Sequence, residues 1–239
     1  MNNTYSYKLP NSDALLDFSV SPKSFIPTAT SDFLIKSTLK VLRPKHKSLL
    51  DLGCGVGIVG LSLFKEGQIQ NLFSSDLSND GTNHCEINSK KFGIQNTIRT
   101  GDCFEPWDNM KFDVIVDDIS GISEEVAKIS KWFSNVPCNS GADGTDLTIK
   151  VIDSAPKYLN EGGLLIFPVI SLSDHEKIIK YAQKNFKNVE LISSNNWFLP
   201  EDMSDKVDVL NDLKSRNLIT FDFKFGKYIC FTDIYMAFK

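Results

Sequence analysis

No apolar run in the sequence approaches the ~18 residues that cross a bilayer, and the polar first residues lack the apolar stretch of a secretion signal. No membrane partner is expected, and the address expected is cytoplasmic. The five cysteines, Cys54, Cys85, Cys103, Cys138 and Cys230, form no CxxC pair, and no histidine stands at zinc-ligand spacing from them. Odd in number and scattered, they are expected to be reduced thiols with no metal role. Positive charge is not in excess either. The 26 basic residues against 30 acidic leave a net charge of −4, which argues against a face built for duplex phosphates but does not exclude a nucleic-acid substrate. Internal repeats and low-complexity tracts are absent.

What is present is an ordinary globular composition, 41% hydrophobic and 23% charged, on a 239-residue chain long enough for one α/β domain with a substantial core. The most informative stretch is Leu49-Leu50-Asp51-Leu52-Gly53-Cys54-Gly55-Val56-Gly57-Ile58-Val59-Gly60-Leu61. A short apolar run, glycines at every second position and then an apolar helical pattern spell strand, tight turn and helix. Glycines let the backbone take positive φ and let a ligand approach without Cβ atoms in the way, while the first amides of the helix remain unpaired donors.

The alternation continues down the chain. Strands are expected at 71–76, 96–99, 112–118 and 162–169, with helical patterns between them, so the spacing predicts βαβ units and a parallel sheet with right-handed crossovers. Ligands of such sheets sit at the carboxyl ends of the strands. Asp51, Asp76, Asp102 and the pair Asp117-Asp118 all fall there. Gly55, Gly57 and Gly60 also satisfy a dinucleotide spacing, and Asp76 lies at roughly the 20-residue offset of a ribose-binding acid, so the glycines alone leave a dehydrogenase open. Clustered carboxylates tilt the choice, because they repel pyrophosphate and suit a cationic ligand.

The order Asp51-Leu52-Gly53-Cys54-Gly55 resembles motif I of the class I S-adenosylmethionine-dependent methyltransferases. That resemblance implies a doubly wound, mostly parallel seven-stranded Rossmann-like α/β sheet with an antiparallel C-terminal strand. It also implies S-adenosyl-L-methionine as cofactor, bound by Asp51, Gly53, Cys54, Gly55 and Gly57. Asp76, with Leu77 beside it, would take the ribose, and Asp102 would face the adenine with Cys103 and Phe104 near the ring. An arm over residues 1–30, broken by Pro10, Pro22 and Pro27 and ending in Phe25-Ile26-Pro27-Thr28, resembles the cofactor-covering segment of the small-domain members. The expected domain is then 31–239, with a cofactor half at 31–120 and an acceptor half at 121–239.

In the release-factor glutamine, ribosomal-RNA guanine and DNA adenine methyltransferases the fourth strand ends in Asn/Asp-Pro-Pro-Tyr, which bonds the target nitrogen and stacks on its plane. Here Asp118-Ile119-Ser120-Gly121 occupies that register, without prolines or tyrosine. Asp118 is the expected catalytic group and would also touch the cofactor. Asp117 either shares the chemistry or caps the turn. The loop after the fourth strand, with Trp132, Phe133, Pro137 and Cys138, is expected to line the acceptor pocket. Loss of the stacking element favours a small-molecule acceptor methylated on nitrogen or oxygen. Ribosomal RNA, a protein glutamine, or cofactor binding without catalysis are the alternatives.

Toward the C-terminus, helices are expected at 173–187 and 202–216, and strands at 188–193, 219–225 and 228–238, with 195–200 as a loop.

Overall fold

The computed structural model describes residues 3–21, 23, 25, 27–67, 69–133 and 136–238, so Pro22 and Ile26 of the arm lie outside the described residues. The chain opens on an antiparallel hairpin, β1 (Asn3–Lys8) and β2 (Leu15–Val20), followed by α1 (Ala29–Val41). The glycine stretch lies between β3 (Ser48–Leu52) and α2 (Ile58–Glu66), and then come β4 (Asn71–Asp76), α3 (Asn79–Lys91), β5 (Asn96–Thr100) and β6 (Phe112–Asp117). The second half holds α4 (Glu124–Ile129), α5 (Asp146–Tyr158), β7 (Leu159–Ile170), α6 (His175–Asn185) and β8 (Asn188–Phe198). It ends in α7 (Glu201–Ser204), α8 (Val207–Ser215), β9 (Asp222–Lys224) and β10 (Lys227–Phe238).

One sheet runs in the order β5-β4-β3-β6-β7-β10-β8, parallel from β5 to β7 and antiparallel at β10, with the short β9 added beside β10. The strands pack helices on both faces, so neighbouring residues point to opposite cores. Leu49, Val114, Val116 and Ile166 join Leu34, Ile35, Leu61 and Leu63 on the α1–α2 face, while Leu50, Ile115, Leu165 and Phe167 join Val151, Ile152 and Ile178 on the α5–α6 face. A third cluster, with Ile122, Val126, Met203, Leu210, Leu213 and Phe221, fastens α4, α7 and α8 beside the carboxyl end of the sheet. No helix of the described residues is long and apolar enough to cross a membrane.

The structure adds to or departs from the sequence expectation at several points. The arm is a docked hairpin: Phe18 is fully buried against Phe92, with ring centroids 5.0 Å apart, and burying such a side chain contributes about 1.5–3 kcal/mol. Asn88 ties the hairpin to the glycine loop, its amide donating to Ser19 O and Val56 O and its oxygen accepting from Ser19 N. Helix α1 starts at Ala29 with Thr28 as its cap. Strand β8 runs through the expected loop to Phe198, where Trp197 donates to Thr232 Oγ1 at 3.1 Å. The expected helix at 202–216 is two helices, and the expected strand at 219–225 shrinks to Asp222–Lys224.

Candidate active site

The carboxyl ends of β3, β4 and β6 meet at one rim, and the glycine loop is laced across it. Gly53 and Cys54 both donate their amides to Ser75 O, at 2.8 and 2.9 Å, and Asp118 donates its own to Leu52 O at 2.9 Å. Gly53 has φ +80°, and a Cβ there would stand 2.8 Å from Ile119 Cγ1 and 3.1 Å from Ile119 N. The loop can therefore lie against the end of β6 only because this residue is glycine. Gly55, at φ +48°, has nothing within 4 Å of its missing Cβ, so its open side faces a cavity. Gly57 does not line that cavity. At φ +90° it precedes α2, and its missing Cβ lies 2.8 Å from Cys85 Sγ.

The strand-end acids divide into those behind the cavity wall and those on it. Asp51 is behind it, fully buried, with Oδ2 accepting from Gly60 N at 2.8 Å and Oδ1 without a partner among the described residues. Burial pushes its carboxyl up to about 7, as a dry site with one orphaned oxygen favours the neutral acid. The cofactor contact expected of Asp51 is thus replaced by support of the first turn of α2. Asp117 is also buried, pushed up to about 7 by desolvation, and accepts from Ile119 N at 3.0 Å. It does not reach the cavity, and of its two expected roles the turn cap is the one it fills.

Asp76 and Asp118 are on the wall. Asp76 receives Gly55 N and Ser78 N, both at 2.8 Å, and burial raises its carboxyl. Asp118 accepts a hydrogen bond from Ser31 Oγ at 3.2 Å, and desolvation together with the nearby Asp51 raises it well above the usual carboxylate range. Asp102 lies on the wall but accepts a hydrogen bond from Lys150 Nζ at 2.6 Å, and that partner draws its carboxyl below the ordinary value. Asp102, expected to face the adenine, is therefore already paired, with an ion pair that sequence spacing gives no means to see. Cys103 borders the cavity in the left-handed region at φ 50°, its thiol pushed up to about 12 by burial. Phe104 points away from the cavity, stacked on Tyr158 with centroids 4.5 Å apart.

A single cavity of about 610 Å³ joins these groups. Such a volume is within the ordinary range for a small-molecule site. Cys54, Gly55, Asp76, the exposed Leu77, Asp118, Trp132, Phe133 and Pro137 all border it. Cys138 does not line it. Its thiol sits 2.8 Å from Ser120 Oγ and bonds Ile122 O, tying the loop to the end of β6. Ser31, Ile58, Pro168 and Ile170 also line the wall, and none of them was expected there from the sequence. A polar residue on the buried face of α1 was the available signal for Ser31. No group of three or more His, Cys, Asp or Glu among the described residues is placed to hold a metal.

Comparison with known proteins agrees with this geometry. Residues 28–118 match the family model "Methyltransferase small domain". The release factor glutamine methyltransferase of Geobacter sulfurreducens is 27% identical over 159 residues, covering 63% of this chain and 55% of its own. A putative protein N5-glutamine methyltransferase of Methanocaldococcus jannaschii is 27% identical over 168 residues, covering 70% and 82%. Among solved structures, the T. thermophilus 16S rRNA N2 G1207 methyltransferase in complex with AdoMet and guanosine aligns over 99% of this chain and 50% of its own, with TM-score 0.62 and 14% identity. The chain spans 55% and 65% of the length of two of the release-factor relatives it matches.

S-adenosyl-L-methionine is the cofactor of this family, and the residues present fit it. A side chain at Gly55 would fill the cradle beside it, and Asp76 and Asp118 place two carboxyl groups on the cavity wall. The chain has the fold of the class I S-adenosylmethionine-dependent methyltransferases, and its residues 28–118 are similar to the methyltransferase small domain, with Asp118-Ile119-Ser120-Gly121 at the end of the fourth parallel strand.

Proposed function

We propose that the protein transfers a methyl group from S-adenosyl-L-methionine to a nitrogen of a protein side chain, with glutamine as the first acceptor to test. The observation that carries this reading is that one cavity is bordered by Gly55 and Asp76, by Asp118, and by Trp132 and Phe133. The glutamine methyltransferases among its relatives support the acceptor class. When bound, the cofactor supplies an electrophilic methyl group on a positively charged sulfur. The chain's own part is to hold the acceptor nitrogen in line with it, and orientation of this kind supplies several kcal/mol, up to about 7–11. Asp118 accepts an N–H from the acceptor and turns the nitrogen lone pair toward the methyl group. In its ionised form Asp118 can also take the proton that the acceptor nitrogen loses, a role worth about 10²- to 10⁴-fold. Ser31 fixes the carboxylate by donating to it.

A second reading, transfer to a small metabolite, is favoured by Ser120 and Gly121 standing where the stacking element of the amide and base methyltransferases would be. Incubation with methyl-labelled cofactor and size-fractionated cell extract separates the two. Label is expected in intact protein, released by acid hydrolysis as methylamine. Label confined to the low-mass fraction supports the metabolite, and label in ribosomal RNA also overturns the proposal. Binding of S-adenosylhomocysteine with no labelled fraction points to a module without turnover.

A further inference from the structure

The end of β6 offers no ring to an acceptor. Gly121 holds the register of the stacking tyrosine, and a Cβ there would run toward Thr148 Oγ1 at 3.2 Å. Two rings nevertheless border the same cavity from segments outside the sheet. Phe25 lies in the stretch before α1, Phe133 ends the helical turn Lys131–Phe133, and their centroids are 5.3 Å apart with the planes tilted by 43°. Both are indexed to Asp118. On one side, Ser140 Oγ donates to Ser120 O at 2.7 Å and Cys138 Sγ contacts Ser120 Oγ at 2.8 Å, so the segment bearing Phe133 is fastened two residues from Asp118. On the other, Ser31, six residues after Phe25, donates to Asp118 itself. Phe133 is further steadied by the third core cluster, against which it packs.

The geometry points to a relocated stacking platform: the Phe25–Phe133 pair, rather than a side chain at the end of β6, presents the flat face on which a planar acceptor group lies beside Asp118. The acceptor class is then a carboxamide or an unsaturated ring, not a saturated amine or an alcohol. This inference rests on the methyl-transfer reading of the cavity and deepens it. Ser120, in the place of the second proline, holds the platform's loop through Cys138 and Ser140. A ring pair prefers a flat π system to a puckered group of equal size by about two- to tenfold in affinity, whereas leucine in place of phenylalanine keeps the burial and loses that preference.

The test uses the protein loaded with S-adenosylhomocysteine and two probes, benzamide and cyclohexanecarboxamide, which carry one carboxamide on a flat and on a puckered ring. Titrations followed by NMR are expected to give tighter binding of benzamide by about two- to tenfold. Phe25→Leu and Phe133→Leu should each bring the ratio to near parity and Phe133→Tyr should keep it, with the affinity for S-adenosylhomocysteine unchanged in the two Phe133 variants. Parity in the unmodified protein overturns the proposal without any variant, and so does a preference that persists in both leucine variants. Failure to label any extract fraction would remove the methyl-transfer reading while leaving this ratio measurable, so the two failures are distinguishable.

Discussion

Replacing Gly53 by alanine tests whether the loop and the acceptor end of β6 are one unit. The new methyl group enters a left-handed conformation, φ +80°, that costs an L-residue about 1–2 kcal/mol. It also meets Ile119 Cγ1 at 2.8 Å, Ile119 N at 3.1 Å and the carbonyl carbon of Asp118 at 3.2 Å. Two of these three are backbone atoms that cannot swing aside, and overpacking of this kind adds about 1–3 kcal/mol. The sum is about 2–5 kcal/mol, or a fall in melting temperature of about 4–20 °C for a chain of this size. Gly55→Ala is the matched control, strained at φ +48° but with nothing within 4 Å of the added carbon. It should lose only about 1–2 kcal/mol of stability. Its methyl group projects into the cavity, so it should weaken S-adenosylhomocysteine binding beyond what its stability loss explains. Differential scanning fluorimetry and calorimetric titration read the two effects separately. Equal melting temperatures for the two variants would refute the close approach of the loop to the end of β6.

Two further outcomes follow from the acids. Asp118→Ala should lower the methyl-transfer rate by about 100-fold or more while changing the dissociation constant of S-adenosylhomocysteine less than threefold. A rate within threefold of the original removes Asp118 from the mechanism. Asp117 has its carboxyl pushed up to about 7 when folded, against about 3.9 unfolded, so the folded chain holds a proton that the unfolded chain releases across that window. Its stabilising share is therefore complete below about pH 4 and is lost as the pH rises through 7. Asp117→Asn keeps an oxygen for Ile119 N and removes the titration, so the slope of melting temperature between pH 5 and pH 8 should flatten. An unchanged slope contradicts burial as the cause.

The frame of the fold was legible because it is local. Alternating apolar runs, glycine punctuation and acids at strand ends gave β3 through β7 and the antiparallel β10, within a few residues. Strand β7 begins three residues earlier than expected because Gly162, at φ +68°, lets the chain pass through a register shift that reads as a turn. Strand β8 was cut short for a similar reason: Asn195-Asn196 looks like a turn, but pairing with β10 carries the chain on to Trp197 and Phe198. Trp132, Phe133 and Pro137, expected at an acceptor pocket, border the cavity. What the sequence hid were contacts between distant residues. Asn88 bridges the hairpin and the loop, Lys150 pairs with Asp102, Ser31 reaches Asp118, and Asp51 turns to Gly60 instead of the cavity. The expected ring of free carboxylates is thereby reduced to Asp118 and the amide-bonded Asp76, because partners occupy or bury the others.

The central claim is that the cavity beside Gly55 takes an adenosyl sulfur compound and not a dinucleotide. Calorimetric titration of the protein with S-adenosylhomocysteine and, separately, with NAD tests it most directly. Saturable binding of S-adenosylhomocysteine, weakened by Gly55→Ala, and no detectable heat with NAD is the predicted result. Tighter binding of NAD at the same site contradicts the account.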